Sequence, residues 1–108
     1  MNIQYKKGIL ELCVLSLLKR RDMYGYEVSD FLSKQIDIAD GTVYPILRKL
    51  KADGLLSTYL QEGSGGPPRK YYSLTEYGRV SFEKDRKEYM LFAKAVNTLL
   101  EGDQNEKK

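Results

Sequence analysis

The sequence lacks histidine altogether and contains a single cysteine, Cys13. Without histidine, the chain is missing the usual nitrogen ligands for transition metals and the usual general base of hydrolytic triads. One cysteine cannot form an internal disulfide, and the apolar neighbours of Cys13 favour a small core residue over a nucleophile. We therefore expect no enzymatic activity, no metal site and no cofactor.

Long apolar runs are also missing. No segment approaches the roughly 20 apolar residues that span a bilayer, and residues 1–10 lack the apolar block and cleavage site of a signal peptide. We therefore expect a cytoplasmic protein. Its 108 residues, 42% hydrophobic and 31% charged, suit one compact domain whose core is small enough to need help from a partner chain.

The net charge of +3 is unevenly distributed along the chain. Residues 1–75 hold 11 Lys/Arg against 8 Asp/Glu, whereas residues 76–108 hold 7 of each kind. The excess is concentrated within residues 42–71, where five basic residues face two acidic ones. This distribution makes nucleic acid a candidate partner. The five basic residues are Arg48, Lys49, Lys51, Arg69 and Lys70.

Apolar spacing in the first half predicts three helices. The first covers roughly residues 5–20 and the second 25–35. The third begins between Asp40 and Thr42, where a side chain can cap free amides, and ends before Gly54, which suits the left-handed position after a helix.

The second half predicts a hairpin and one long helix. The Tyr- and Leu-rich segments 55–60 and 69–74 flank a glycine- and proline-rich loop and read as antiparallel strands. Thr75 can cap a final helix over 76–101, followed by a polar tail at 102–108 that we expect to be disordered. The predicted fold is α+β: a winged helix-turn-helix over residues 1–75 with a long C-terminal dimerisation helix.

Pro45 lies within the first two turns of the third helix, where it costs little because the first amides have no helical acceptor. Stepping by 100° per residue separates a buried face from an outer face that is small and basic. The outer face would suit a DNA groove, although an ordinary solvated helix and a protein-interaction module for an acidic partner remain open. The buried face holds Val43, Ile46, Leu47 and Leu50, and the outer face holds Gly41, Pro45, Arg48 and Ala52.

The last helix carries an apolar seam with alternating spacings of three and four, which predicts a homodimer. A helix folded back on its own core is the alternative. A two-fold axis would place two DNA-reading helices roughly 34 Å apart and require an inverted-repeat operator. A planar effector could enter between the helices, or side chains alone could fill that space. The seam consists of Phe82, Asp85, Tyr89, Phe92, Val96 and Leu99, widened by Met90, Leu91, Ala95 and Leu100.

Three motifs resemble the PadR family of bacterial transcriptional regulators: "YGYE" at 24–27, "GTVYPILRKLKADGLL" at 41–56 and "GPPRKYYSLTEYG" at 66–78. They occur in the family's order and spacing. The single C-terminal helix is similar to the short subfamily. That resemblance implies a homodimeric winged-helix repressor, located in the cytoplasm and on the nucleoid, that binds double-stranded DNA and responds to a small aromatic or lipophilic compound.

The resemblance also implies roles for single residues. The third helix would be the recognition helix, the second strand would belong to the wing, and the entry to the second helix would hold the DNA backbone. For Tyr24 and Tyr26, core packing is the alternative. The implied DNA-binding residues are Tyr24, Gly25, Tyr26, Thr42, Tyr44, Pro45, Arg48, Lys49, Arg69, Lys70 and Tyr71, and those implied for the dimer interface or effector are Phe82, Tyr89, Met90, Phe92, Val96 and Leu99.

Overall fold

The computed structural model describes the backbone of residues 3–63 and 65–102 and the side chains of residues 8–63 and 65–102. It is an α+β winged helix-turn-helix followed by a long helix, which confirms the predicted fold class. Most of the predicted tail, residues 103–108, lies outside the described residues. The elements are α1 (Ile3–Arg20), β1 (Met23–Tyr24), α2 (Gly25–Ser33), α3 (Val43–Ala52), β2 (Leu56–Gln61), β3 (Arg69–Leu74) and α4 (Glu76–Leu100).

The sheet contains a strand that the sequence did not predict. The two residues of β1 pair antiparallel with β3, and β2 pairs with the other edge of β3. So short a strand has no period-two pattern of its own, since its pairing depends on a partner in the other half of the chain. The helix that follows, α2, ends at Ser33, two residues earlier than expected.

The two faces of the sheet differ in character, because successive strand residues point to opposite sides. Met23, Leu56 and Tyr72 are buried on the inner face. The outer face carries Tyr24 and Tyr59, each directly opposite Tyr71 across the strands. The sheet therefore presents a row of three tyrosines on the side away from the core.

One apolar core lies between the inner face of the sheet and helices α1, α2 and α3, and it also includes the start of α4. A fully buried Val, Leu or Phe is worth about 1.5–3 kcal/mol relative to an exposed one, whereas an exposed ion pair contributes about 0–1 kcal/mol. Apolar burial therefore dominates the stability of the fold. Cys13 packs against this core, where burial raises the pKa of its thiol.

Helix α3 begins two residues before its proline, so Pro45 breaks no helical hydrogen bond. Its N-cap is Thr42, not Asp40, and Gly41 before it has a φ of +84° that favours glycine. Pro45 is therefore the third helical residue, and its missing N–H lies among amides that have no helical acceptor.

The end of α3 is a Schellman motif. Gly54 has a φ of +83° and donates its N–H to the Lys51 carbonyl at 3.0 Å, while the Leu55 N–H donates to the Leu50 carbonyl at 2.9 Å. This confirms the predicted role of Gly54. The turn directs the chain into β2.

Helix α4 begins at the predicted cap. Thr75 Oγ1 accepts the Gly78 N–H at 2.9 Å and donates to the Gly54 carbonyl at 2.8 Å. A Cβ at Gly78 would lie 2.1 Å from the Leu55 carbonyl oxygen, so only glycine permits this approach. The start of α4 is thus fixed against the end of α3.

The remainder of α4 projects from the domain. The radius of gyration is 17.0 Å, against about 13 Å for a compact domain of this length. Packing of α4 on α1 includes an ion pair between Lys19 and Glu83. No helix within residues 3–63 and 65–102 is long and apolar enough to cross a membrane.

Candidate nucleic-acid interface

The two faces of α3 separate as the angular analysis predicts. Val43, Ile46, Leu47 and Leu50 are buried, which leaves Tyr44, Pro45, Arg48 and Lys51 exposed on the outer side. The outer face combines a slim proline with cationic and phenolic side chains. Thr42 is half-buried at the N-cap.

The N-terminus of α2 lies directly against the N-terminus of α3. A Cβ on Gly25 would come within 2.7 Å of the Tyr44 ring, so the glycine allows the ring to pack on the α2 backbone. Next to Gly25, the Tyr26 side chain is 63% exposed. Tyr24, Tyr26 and Tyr44 therefore lie close together around Gly25, which is itself buried.

Four aromatic rings extend this surface across the sheet, and we call them the tyrosine ladder: Tyr59, Tyr71, Tyr24 and Tyr26. Tyr59 stacks on Tyr71 with ring centroids 5.7 Å apart, and Tyr71 meets Tyr24 edge to face at 5.5 Å. Tyr24 and Tyr26 are nearly parallel at 6.4 Å. The ladder joins the wing strands to the first turn of α2.

Polar groups contact two rings of the ladder, Tyr24 and Tyr59. The Arg69 guanidinium lies 4.5 Å from the centre of the Tyr24 ring, a favourable cation–π arrangement. The Tyr59 hydroxyl donates to Asp22 Oδ2 at 2.7 Å. This hydrogen bond raises the pKa of Tyr59 above its ordinary value of 10.0.

Lys49 differs in placement from the other predicted DNA-binding residues. Its Nζ lies 2.9 Å from Asp53 Oδ2 and 3.6 Å from Glu11 Oε2. The hydrogen bond with Asp53 and the charge of Glu11 raise the pKa of Lys49 above its ordinary value. Lys49 is thus held by carboxylates of its own chain, whereas Lys70 is exposed on β3.

The predicted interface residues of α4 fall into two groups. Phe82 is only 3% exposed and belongs to the core of its own chain, so it is not available to a partner. Residues further along are largely exposed. They include Met90, Leu91, Phe92, Leu99 and Leu100, while Tyr89 and Val96 are half-buried.

A groove of about 410 Å³ lies between α1 and α4 and reaches the end of α3. Four of its nine lining residues are leucines, and Tyr89, Glu11 and Asp85 add polar groups. Glu11 also pairs with Lys49. The groove therefore connects the exposed part of α4 with α3.

Sequence reasoning missed two residues of this surface, Asp22 and Tyr59. Tyr59 falls in a predicted strand, but its role depends on Tyr71 and on Asp22, which is 37 positions away. No local pattern links the two. Only the sheet register places them together.

A family model described as "Transcriptional regulator PadR-like family" matches residues 14–84. Among curated proteins, the chain is 29% identical over 94 residues to the transcriptional regulator Rv3488 of Mycobacterium tuberculosis, covering 86% of this chain and 87% of that protein. The family match includes α3 and the tyrosine ladder.

Solved structures agree. A PadR-like transcriptional regulator from Bacillus cereus shares 34% identity at a TM-score of 0.82, covering 93% of this chain and 99% of its own. A PadR family regulator from Eggerthella lenta shares 32% identity at a TM-score of 0.76, covering 94% and 89%. Members of this family are transcriptional regulators and not enzymes. The chain belongs to the PadR-like family of transcriptional regulators.

Proposed function

We propose that the protein is a homodimeric repressor that binds an inverted-repeat operator and is released by a small aromatic or lipophilic effector. One observation carries this proposal: the exposed face of α3, with Tyr44, Pro45 and Arg48, adjoins the N-terminus of α2 and the cation of Arg69. A slim cationic ridge beside the start of α2 matches the shape and charge of a DNA groove and its phosphates.

Each part of this surface has a role in the proposed complex. Helix α3 enters the major groove with its N-terminal residues leading. Arg48 lies on the outer face, where a guanidinium can bond to guanine in bidentate fashion. Arg69 and Lys70 face phosphates from the wing, and the α2 start holds the backbone through Tyr26.

Dimerisation is supported by the apolar character of the second half of α4. Leu91 is 63% exposed and Leu100 is 78% exposed, and at 100° per residue they lie on opposite sides of the helix. A helix that is apolar on several sides is normally buried. A second copy covering α4 from more than one direction removes this surface from water and sets the spacing of the two α3 helices.

The effector site that fits this arrangement is the groove between α1 and α4. Tyr89 offers an aromatic wall, and the leucines offer an apolar one. Glu11 both lines the groove and pairs with Lys49 of α3. A bound compound that moves Glu11 therefore also changes the charge around Lys49 on the DNA-reading helix. Such a link couples the two sites.

The test begins by selecting duplexes that bind the protein from a pool of randomised sequence. We expect an inverted repeat with half-sites about one turn apart, and a log affinity that falls steeply with log salt. Arg48→Ala should weaken binding by about 1–3 kcal/mol and relax preference at one position of each half-site.

Lys84→Ala is the matched control, since Lys84 is an exposed cation on α4 paired with Glu88. It should leave both affinity and preference unchanged. Binding without sequence preference or salt dependence would favour the protein-interaction module.

A further inference from the structure

We propose that Asp22 and Tyr59 are positioning residues that fix the wing against the N-terminus of α2 and so hold Arg69 in place for DNA. This inference rests on the proposed DNA-binding function. Neither residue needs to touch DNA itself. Their effect is transmitted through the tyrosine ladder.

The hydrogen bond between them spans the sheet. Tyr59 is on β2, and Asp22 directly precedes β1, while β3 lies between those strands. Neighbouring strands are about 4.8 Å apart, so the Tyr59 side chain reaches across the middle strand to Asp22 Oδ2 at 2.7 Å. The bond therefore resists rotation of the wing hairpin relative to the rest of the sheet.

Such a restraint matters because the backbone ties the hairpin to the domain weakly. β1 contributes only two residues to the backbone pairing of the sheet, and a hairpin by itself is at best marginally stable in water. Three of the loop residues between β2 and β3 are glycines with open space around them: Gly63, Gly65 and Gly66. Side chains must supply the remaining order.

The tyrosine ladder links the Asp22–Tyr59 hydrogen bond to the Arg69 guanidinium. Tyr59 stacks on Tyr71, which packs edge to face on Tyr24, and the Arg69 guanidinium lies over Tyr24 at 4.5 Å. These rings lie on the outer face of the sheet, so they are not required to fill the core. A wing ordered before binding avoids the entropy cost of immobilising it on DNA.

A double-mutant cycle tests this assignment with the duplex obtained by selection. Tyr59→Phe removes only the hydroxyl and should lower affinity about threefold to tenfold, the effect of one lost hydrogen bond. The double variant Tyr59→Phe, Arg69→Ala should bind within about twofold of Arg69→Ala alone, because the hydroxyl acts through Arg69.

Tyr77→Phe is the control, since Tyr77 is an exposed tyrosine on α4. It should bind as the wild type does. Unchanged DNA affinity in Tyr59→Phe would overturn the assignment. So would a double variant whose loss of affinity equals the product of the two single losses. If Tyr59→Phe does not fold, Asp22→Ala, which removes the acceptor, replaces it in the same cycle.

A measurement on the free protein separates this inference from the proposed function. Amide hydrogen exchange in residues 56–61 and 69–74 should speed up in Tyr59→Phe, whereas exchange in α3 should not change. Failure of the wild type to bind any duplex in a salt-dependent way would reject DNA binding and the role of the wing in it. Unchanged exchange in the wing would reject the restraint itself, even if DNA binding holds.

Discussion

Single glycines determine how closely the helices of this protein approach one another. The Tyr44 ring packs on Gly25, and the Leu55 carbonyl oxygen packs on Gly78. A Cβ at either position would clash with these neighbouring atoms. The consequences differ. A ring at the surface can rotate away, whereas a backbone carbonyl at the end of the α3 turn cannot.

Gly78→Ala should therefore destabilise the protein by about 2–3 kcal/mol, as overpacking does at rigid sites. Urea unfolding followed by circular dichroism measures this change. Gly66→Ala is the control, because a Cβ added there would meet nothing within 4 Å, and it should stay within about 0.5 kcal/mol of the wild type. A small effect of Gly78→Ala would show that α4 can shift away from Leu55.

The sequence identifies several such residues by type alone. Gly54 is predictable as a helix stop because glycine favours positive φ, and Thr75 as a cap because of its hydroxyl. What Gly25 and Gly78 touch could not be predicted, since each contact joins separate elements. The same reason explains why the Asp22–Tyr59 pair was missed.

At the scale of elements, α3 is arranged around its proline. Pro45 is the third helical residue and its side chain is exposed, so it replaces no helical hydrogen bond. The apolar spacing of α3 was sufficient to predict its buried face, because one face of an amphipathic helix follows from period alone. The short strand β1 had no such pattern.

Pro45→Ala should change the free energy of unfolding by less than about 1 kcal/mol, since the loss of proline affects mainly the unfolded chain. Lys51→Pro, in the same helix but past its first turn, should cost about 3 kcal/mol or more. Thermal unfolding of both variants measures the contrast. Equal costs would place the start of α3 elsewhere.

The contact between α1 and α4 has a pH dependence of known sign. The hydrogen bond from Lys19 lowers the pKa of Glu83 below its ordinary value of 4.5. A lowered folded-state pKa contributes stability above the unfolded value, and this contribution is lost as pH falls through the folded pKa. Glu83 is exposed, so the effect is small.

Glu83→Gln should thus be slightly less stable than the wild type at neutral pH, and the difference should shrink below about pH 4.5. Urea unfolding at a series of pH values measures it. Lys94→Gln, an exposed lysine further along the same helix, should show a constant difference over that range. A stability difference between Glu83→Gln and the wild type that grows as the pH falls would contradict the predicted direction of the Glu83 pKa shift.

At the scale of the whole molecule, the chain is elongated, 67 × 28 × 22 Å, and consists of the winged-helix domain followed by the projecting helix α4. The a/d spacing of α4 predicted an apolar surface, and the exposure of Leu99 and Leu100 agrees with it. The spacing could not show where intrachain packing stops. Phe82 lies inside the core, where the seam alone would have placed it at the interface.

The double variant Phe92→Glu, Leu99→Glu should be monomeric, because two buried carboxylates in an apolar interface are costly. Sedimentation equilibrium measures the mass of the particle. Lys84→Glu, Lys87→Glu introduces acidic residues nearby and should leave the dimer intact. If the Phe92→Glu, Leu99→Glu variant stays dimeric, α4 has no role in association.

Directed cleavage of DNA shows whether the outer face of α3 enters the duplex, as proposed. An iron–EDTA group attached at Lys51→Cys, in a Cys13→Ser background, should cut the selected duplex at two clusters about one turn apart, one in each half-site. The same group at Lys84→Cys on α4 should not cut there. Equal cleavage from both positions, or none from position 51, would contradict the claim.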